Sequence, residues 1–223
     1  MPINTLVSVI IPCRNGSDYL PEAVAGVLKQ EIPVEIIVVD DGSTDATALV
    51  AKGLGCDVKS IPHSGLSAAR NAGLARANGS YILFHDHDDV LEEGALIRLF
   101  EELDSAPELG LVMGKAKDFI STDLCPEDAK ALCPRPSPYY GLLSGAVLIR
   151  KTVFNFVNGF TEDLATGQTI DFLIRAEQAG VKDKKIDFIA VSRRLHNNNM
   201  GRTMQKQEYK DYASILREKL RQK

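Results

Sequence analysis

The chain opens on a near-continuous apolar run, Val7-Ser-Val-Ile-Ile-Pro12, closed by proline. Apolar positions without alternation over that length predict a strand buried on both faces of a parallel sheet. Leu20, Val24, Val27 and Leu28 then form a helical stripe within residues 19–30. Val34-Glu-Ile-Ile-Val-Val39 repeats the buried-strand pattern, and Ser43 or Thr44 is placed to cap a helix over residues 45–52. A shorter strand at 56–61, a small-residue helix at 66–77, a strand at 81–84 and a helix at 94–105 follow. This β-α-β-α-β-α-β-α alternation predicts an open parallel α/β sheet.

The second half is less regular. A strand is expected at 109–116, then a loop over 121–138 with four prolines and a short helix at 126–132. Gly145-Ala-Val-Leu-Ile149 reads as a strand, residues 151–155 as a short helix, 171–179 as a helix and 188–192 as a last strand. Tyr209, Tyr212, Ile215, Leu216 and Leu220 fall at helical spacing and predict an amphipathic closing helix over 205–221.

Composition narrows the class. The 223 residues are 44% apolar and 25% charged, an ordinary soluble balance with enough chain for one sizeable core. A net charge of −4 gives no global field for nucleic acid or anionic lipid, so an acidic ligand must be met locally. No apolar run approaches membrane-spanning length, so membrane association would be peripheral. Met1-Pro-Ile-Asn-Thr5 lacks the basic and apolar regions of a secretory signal. The expected location is the cytoplasm, with Cys13, Cys56, Cys125 and Cys133 as reduced thiols; a Cys125–Cys133 bond closing a loop is the alternative.

Three polar clusters follow strand ends, where open α/β sheets bind ligands. They are Cys13-Arg14-Asn15-Gly16, Asp40-Asp41-Gly42-Ser43 and His85-Asp86-His87-Asp88-Asp89. They are expected to share one crevice. The third carries three carboxylates and two imidazoles, unfavourable unless a cation or solvent compensates. Asp86 and Asp88 suit a hard divalent ion that leaves positions open for phosphate oxygens; a solvated loop whose Asp residues cap the next helix is the alternative. Asp41 suits the N–H of a nucleobase edge, or else belongs to a turn. Ser67, Arg70 and Asn71 share one helix face. Arg70 either meets a diphosphate or orients the acidic loop, or is an ordinary surface arginine.

In this order, Val7-Ser-Val-Ile-Ile-Pro-Cys-Arg-Asn-Gly16, Ile36-Ile-Val-Val-Asp-Asp-Gly-Ser-Thr-Asp45, Gly65-Leu-Ser-Ala-Ala-Arg-Asn-Ala-Gly73 and Ile82-Leu-Phe-His-Asp-His-Asp-Asp89 resemble the GT-A fold glycosyltransferases of family 2. A weaker likeness continues through Gly159-Phe-Thr-Glu-Asp163 and Arg194-Leu-His-Asn-Asn-Asn199. The resemblance implies a single GT-A-type domain over 1–223, with an open, mostly parallel sheet flanked by helices. Its first half, to about residue 105, would bind a nucleotide sugar, and the rest would meet the acceptor. It implies a nucleoside-diphosphate-sugar donor, a UDP-sugar foremost, met by Pro12, Arg14, Asn15, Asp41, Arg70 and Asp86. Asp41 would lie near the base and Asp86 near the ribose. Asp88 would hold Mn²⁺ or Mg²⁺, joined by His196. Inverting transfer further needs an acceptor hydroxyl and a carboxylate base, with Arg70 and Arg194 or Arg202 supporting the leaving diphosphate.

The chain departs from that family at three places. The usual Gly-Glu-Asp-x-Asp stretch reads Gly167-Gln168-Thr169-Ile170-Asp171, so Asp171 alone remains as candidate base, unless it only begins a helix. Arg14 stands where an aromatic residue is usual. His85 and His87 are unusual and read as local to the acidic loop. Two other classes compete. One is a non-catalytic nucleotide- or sugar-binding relative that lost the base, favoured by Gln168-Thr169. The other is a nucleotidyltransferase, which would need a Gly-rich, Lys-containing phosphate loop that Cys13-Arg-Asn-Gly-Ser17 is not.

Overall fold

The computed structural model describes residues 6–140, 144–199, 210–213, 215 and 217. The elements in chain order are β1 (Val7–Cys13), α1 (Leu20–Leu28), β2 (Val34–Asp41), α2 (Thr47–Gly53), β3 (Asp57–Ile61), α3 (Leu66–Leu74), β4 (Tyr81–Phe84) and β5 (Val90–Leu91). They continue with α4 (Ala95–Asp104), β6 (Leu109–Ile120), α5 (Pro126–Lys130), β7 (Val147–Arg150), α6 (Phe154–Val157), α7 (Gln168–Gln178) and β8 (Lys182–Leu195). Among the described residues the strands form one eight-stranded sheet in the order β3-β2-β1-β4-β7-β6-β8-β5.

Strands β3, β2, β1 and β4 are all parallel, with Val7 opposite Val34 on one side and Tyr81 on the other; the apolar runs of β1, β2 and β4 fit their central, buried places, and the polar β3 lies at the edge. Strand β7 reverses direction against both β4 and β6, and β5 runs antiparallel to β8. Alternate residues feed two apolar layers. Val9, Ile11 and Val38 pack with Leu20 and Val24 of α1 and Leu96 and Leu99 of α4. Ile10, Ile37 and Val39 pack with Ala69 of α3 and Phe172 and Ala176 of α7 on the other face.

Three expectations change. The last strand runs over Lys182–Leu195 instead of 188–192, because parallel pairing with β6 carries it through the charged segment Lys182-Asp-Lys-Lys185. Neither Ser43 nor Thr44 caps α2, which begins at Thr47. Asp45 Oδ1 accepts the Thr47 N–H at 3.0 Å instead, and Ser43 Oγ is taken up by Asn15 N–H at 2.9 Å. Helix α7 begins at Gln168, so Asp171 lies in its first turn. The closing helix expected at 205–221 falls largely outside the described residues, of which 210–213, 215 and 217 are helical; Arg202 also lies outside them. All four cysteines are free thiols.

Candidate active site

The loops after β1, β2, β3 and β4 are tied into one crevice rim. Asn15, at φ 52°, donates its N–H to Ser43 Oγ, while its Oδ1 accepts the Thr44 N–H at 2.8 Å. Gly16 N–H donates to Thr47 Oγ1 at 2.9 Å. The His87 ring lies so close to Gly16 that a Cβ there would come within 2.2 Å of it, so glycine is what lets the acidic loop meet the first loop. Pro12 is buried within β1 beside Val39, and Arg14 and Asn15 are exposed at its end.

Asp41 is buried, and its carboxylate organises the entry to α3. Oδ1 accepts the Ser64 N–H at 2.7 Å; Oδ2 accepts the Gly65 N–H at 3.0 Å and faces His63 Nδ1 at 2.9 Å. His63 Nε2 in turn meets Arg14 Nη1 at 2.9 Å. The bridging place of His63 has no local signal in the sequence.

Arg70 is no surface residue: it is 3% exposed. Its guanidinium stands over the Phe160 ring at 5.1 Å and the Phe84 ring at 5.8 Å. Nη2 pairs with Asp86 Oδ1 at 3.5 Å, and Nη1 donates to Thr169 Oγ1 at 3.1 Å. A small cavity beside it is lined by Phe84, Val147, Phe160, Thr169 and Phe172. Arg70 Nε has no hydrogen-bond partner among the described residues.

Asp88 and His196 are brought together from β4's end and β8's end, with His196 Nε2 2.8 Å from Asp88 Oδ2. His196 Nδ1 accepts the Asn198 N–H at 3.2 Å, so the ring proton belongs on Nε2, toward Asp88. Burial alone would raise the Asp88 pKa, but the His196 hydrogen bond and the nearby imidazoles outweigh it and hold the carboxyl below its ordinary value. Asn199 Oδ1 accepts the His196 N–H at 2.6 Å and closes this turn. Asp89 is opposite in behaviour: burial, then the charges of Asp88 and Asp86, raise its pKa well above the usual carboxylate range. Its Oδ1 accepts the Arg194 N–H at 2.9 Å.

Arg194 differs from the expected diphosphate partner. It lies beneath the acidic loop, stacked on Tyr19 at 4.9 Å and Phe119 at 4.6 Å. Nε donates to the Asp88 carbonyl at 2.9 Å, Nη1 to Ser121 Oγ at 3.3 Å, and Nη2 pairs with Glu22. With all three nitrogens engaged it positions the loop. His85 is fully buried, with neither ring nitrogen hydrogen-bonded among the described residues, and burial drives its pKa down to about 4.

In the first turn of α7, Asp171 Oδ2 accepts from Thr161 Oγ1 at 2.8 Å and from Arg175 Nε and Nη2 at 2.9 and 2.7 Å. Gln168 is buried and donates to the Ala165 carbonyl at 2.9 Å. The Asp171–Arg175 pair was legible as an i,i+4 spacing on a helix.

A divalent ion fits the Asp88–His196 pair by donor chemistry: a carboxylate and an imidazole already converge on one shared proton. Among the described residues no third His, Cys, Asp or Glu completes a metal group, so the other positions would fall to water and phosphate oxygens.

The pattern of the family described as Glycosyl transferase family 2 matches residues 8–162. Glycosyltransferase GlyG of Streptococcus pneumoniae serotype 4 is 30% identical over 133 residues, covering 54% of this chain and 42% of that protein. Pre-mycofactocin glycosyltransferase of Mycobacterium tuberculosis is 29% identical over 201 residues, covering 81% and 41%. The chain thus spans less than half the length of these curated relatives. Among solved structures, S. aureus TarS 1–349 in complex with UDP-GlcNAc aligns with TM-score 0.69 and 22% identity, over 86% of this chain and 59% of that one. Mannosyltransferase PcManGT from Pyrobaculum calidifontis, in complex with GDP-Man and Mn²⁺, aligns with TM-score 0.72 and 16% identity, over 96% and 64%. At these identities the structural likeness is one of fold. The family pattern covers well over half of the chain, and its strand ends carry the crevice just described: the chain has the GT-A fold and belongs to glycosyl transferase family 2.

Proposed function

We propose that this chain transfers a sugar from a nucleoside-diphosphate sugar, UDP-sugar foremost, to an acceptor hydroxyl, with inversion and with Mn²⁺ or Mg²⁺. The observation that carries this reading is the convergence of Asp86, Asp88, Arg70 and His196 at the carboxyl ends of β4 and β8 and the adjacent helix α3. Asp88 and His196 would hold the ion, whose role when bound is to neutralise the diphosphate as the sugar–phosphate bond breaks. Arg70, fixed on the Phe160 ring and paired with Asp86, supplies a preorganised cation that needs no rearrangement during the reaction. Asp41 and the 13–16 loop stand at the base end of the donor, and the reaction takes place in the cytoplasm. The candidate base is Asp171.

A second reading is favoured by one observation. Asp171 is already neutralised by Arg175, and Thr169 carries Arg70 where a carboxylate is usual. On that reading the chain binds a nucleotide sugar without transferring it. Incubating the protein with UDP-sugars and GDP-sugars, Mn²⁺ and sugar acceptors decides: nucleoside diphosphate release with a glycosylated product supports transfer. Pyrophosphate release would instead indicate nucleotidyl transfer. Donor binding with neither release supports the binding protein.

A further inference from the structure

We propose that His63 is a positioning residue of the donor site, holding Arg14 as a flat cationic platform for the nucleobase. The inference rests on the donor reading above and concerns its base end. Arginine donates only, so at the 2.9 Å contact His63 Nε2 accepts from Arg14 Nη1. The ring N–H therefore sits on Nδ1 and donates to Asp41 Oδ2, also at 2.9 Å. A buried carboxylate thus sets the tautomer, and the tautomer sets the arginine. The order runs outward: Asp41 is 5% exposed, the His63 side chain 50%, and Arg14 lies exposed at the crevice rim.

The chain's own chemistry gives this relay a purpose. Nucleobases stack on guanidinium planes as well as on aromatic rings. A free arginine, however, loses much rotamer entropy when a ligand fixes it. Here a second residue 49 positions away holds one nitrogen of the Arg14 fork. The two planar faces and the remaining N–H groups stay available to a base lying beside Asp41. Asp41 keeps only one acceptor position, on Oδ1, for a base edge, because Gly65 N–H and His63 fill Oδ2 and Ser64 N–H takes the other place on Oδ1. Stacking on Arg14 therefore carries more of the base recognition in this chain.

The test is a double-mutant cycle read by calorimetry, with UDP, GDP and inorganic pyrophosphate as probes, each with Mn²⁺. The proteins are wild type, His63→Ala, Arg14→Tyr and the double variant. His63 is half exposed and the Ser64 and Gly65 amides still anchor the loop to Asp41, so the variants keep the fold. His63→Ala is expected to weaken the nucleotide that wild type binds by about tenfold and to leave pyrophosphate unchanged. In the Arg14→Tyr background, removing His63 is expected to change nucleotide affinity by less than about twofold. Wild-type nucleotide affinity in His63→Ala, an equal loss for pyrophosphate, or strictly additive effects would overturn the proposal. A wild type that binds neither UDP nor GDP overturns the donor reading and this inference with it.

Discussion

Asn71 and Phe160 exchange two hydrogen bonds. Asn71 Nδ2 donates to the Phe160 carbonyl and the Phe160 N–H donates to Asn71 Oδ1, each at 2.9 Å. Nδ2 also reaches Glu162 Oε1 at 2.9 Å. Gly159 makes the approach possible: its φ is +73°, and an added Cβ would lie 2.7 Å from Asn71 Oδ1. One amide side chain therefore joins α3, which carries Arg70, to the loop that carries Phe160 beneath Arg70. Helix α3 and the loop that carries Phe160 are thereby one mechanical unit.

Asn71→Ala leaves both backbone groups of Phe160 without their partner. Half-buried groups stripped of hydrogen bonds cost about 1–3 kcal/mol, and this substitution is expected to lie in the upper part of that range. Chemical denaturation measures it as a lowered midpoint with an unchanged slope. A midpoint equal to wild type would show that solvent replaces the clamp.

Arg70→Ala removes the cation between Asp86 and Thr169. Donor affinity is expected to fall by about 1.5–3 kcal/mol, the range for charged hydrogen bonds. Arg70→Lys is not expected to restore it, because a point charge cannot reach Asp86 and Thr169 at once while lying flat on Phe160. Nucleotide titration checks both variants; full rescue by lysine would reduce Arg70 to a generic positive charge.

Asp171 decides between the two functional readings. As the base, Asp171→Asn should lower transfer at least about tenfold, since general-base catalysis contributes 10²–10⁴-fold, while donor affinity stays unchanged. As the Arg175 partner alone, Asp171→Asn should lower stability and leave transfer per folded molecule intact. A silent Asp171→Asn together with faster turnover in Thr169→Asp would identify a weakened relative.

Much of this architecture is legible in the amino-acid sequence. Strands β1, β2 and β4 are buried on both faces, so their sequences are unbroken apolar runs, and the polar clusters at their ends mark the crevice directly. Strand β8 was legible only at Phe188–Ser192 because its first half is exposed, and exposed residues such as Lys182 carry no periodic signal. Burial of Arg70 was illegible because it depends on Phe160, 90 positions away. Arg194 looked like a phosphate ligand by residue type; only tertiary contacts with Glu22 and the Asp88 carbonyl reveal a support. Ser43 and Thr44 had the chemistry of caps, but the neighbouring loop claimed them first.

His85 predicts a pH effect on stability. Desolvation lowers its pKa from 6.5 to about 4, against the pull of the Asp86 and Asp88 charges. The unfolded chain therefore binds more protons between these values, and stability falls as pH drops from about 6.5 toward 4, by up to about 3 kcal/mol from this group. His85→Leu conserves much of the volume, removes two unpartnered nitrogens, and is expected to flatten that part of the stability–pH curve. Thermal melts across pH 4–7 test it; an unchanged slope would mean that His85 has water partners in solution.

The central claim is a donor site whose diphosphate is held through a divalent ion at Asp88 and His196. Its most direct measurement is the affinity of UDP and GDP with and without Mn²⁺, in wild type and in Asp88→Ala. Wild type is expected to bind one of these nucleotides weakly without the ion and at least about tenfold more tightly with it, since losing even a group that only supports a metal ligand commonly costs about 10–100-fold in metal affinity. Asp88→Ala should lose the difference. Equal titration curves for the two proteins, or a wild type indifferent to Mn²⁺, would contradict it.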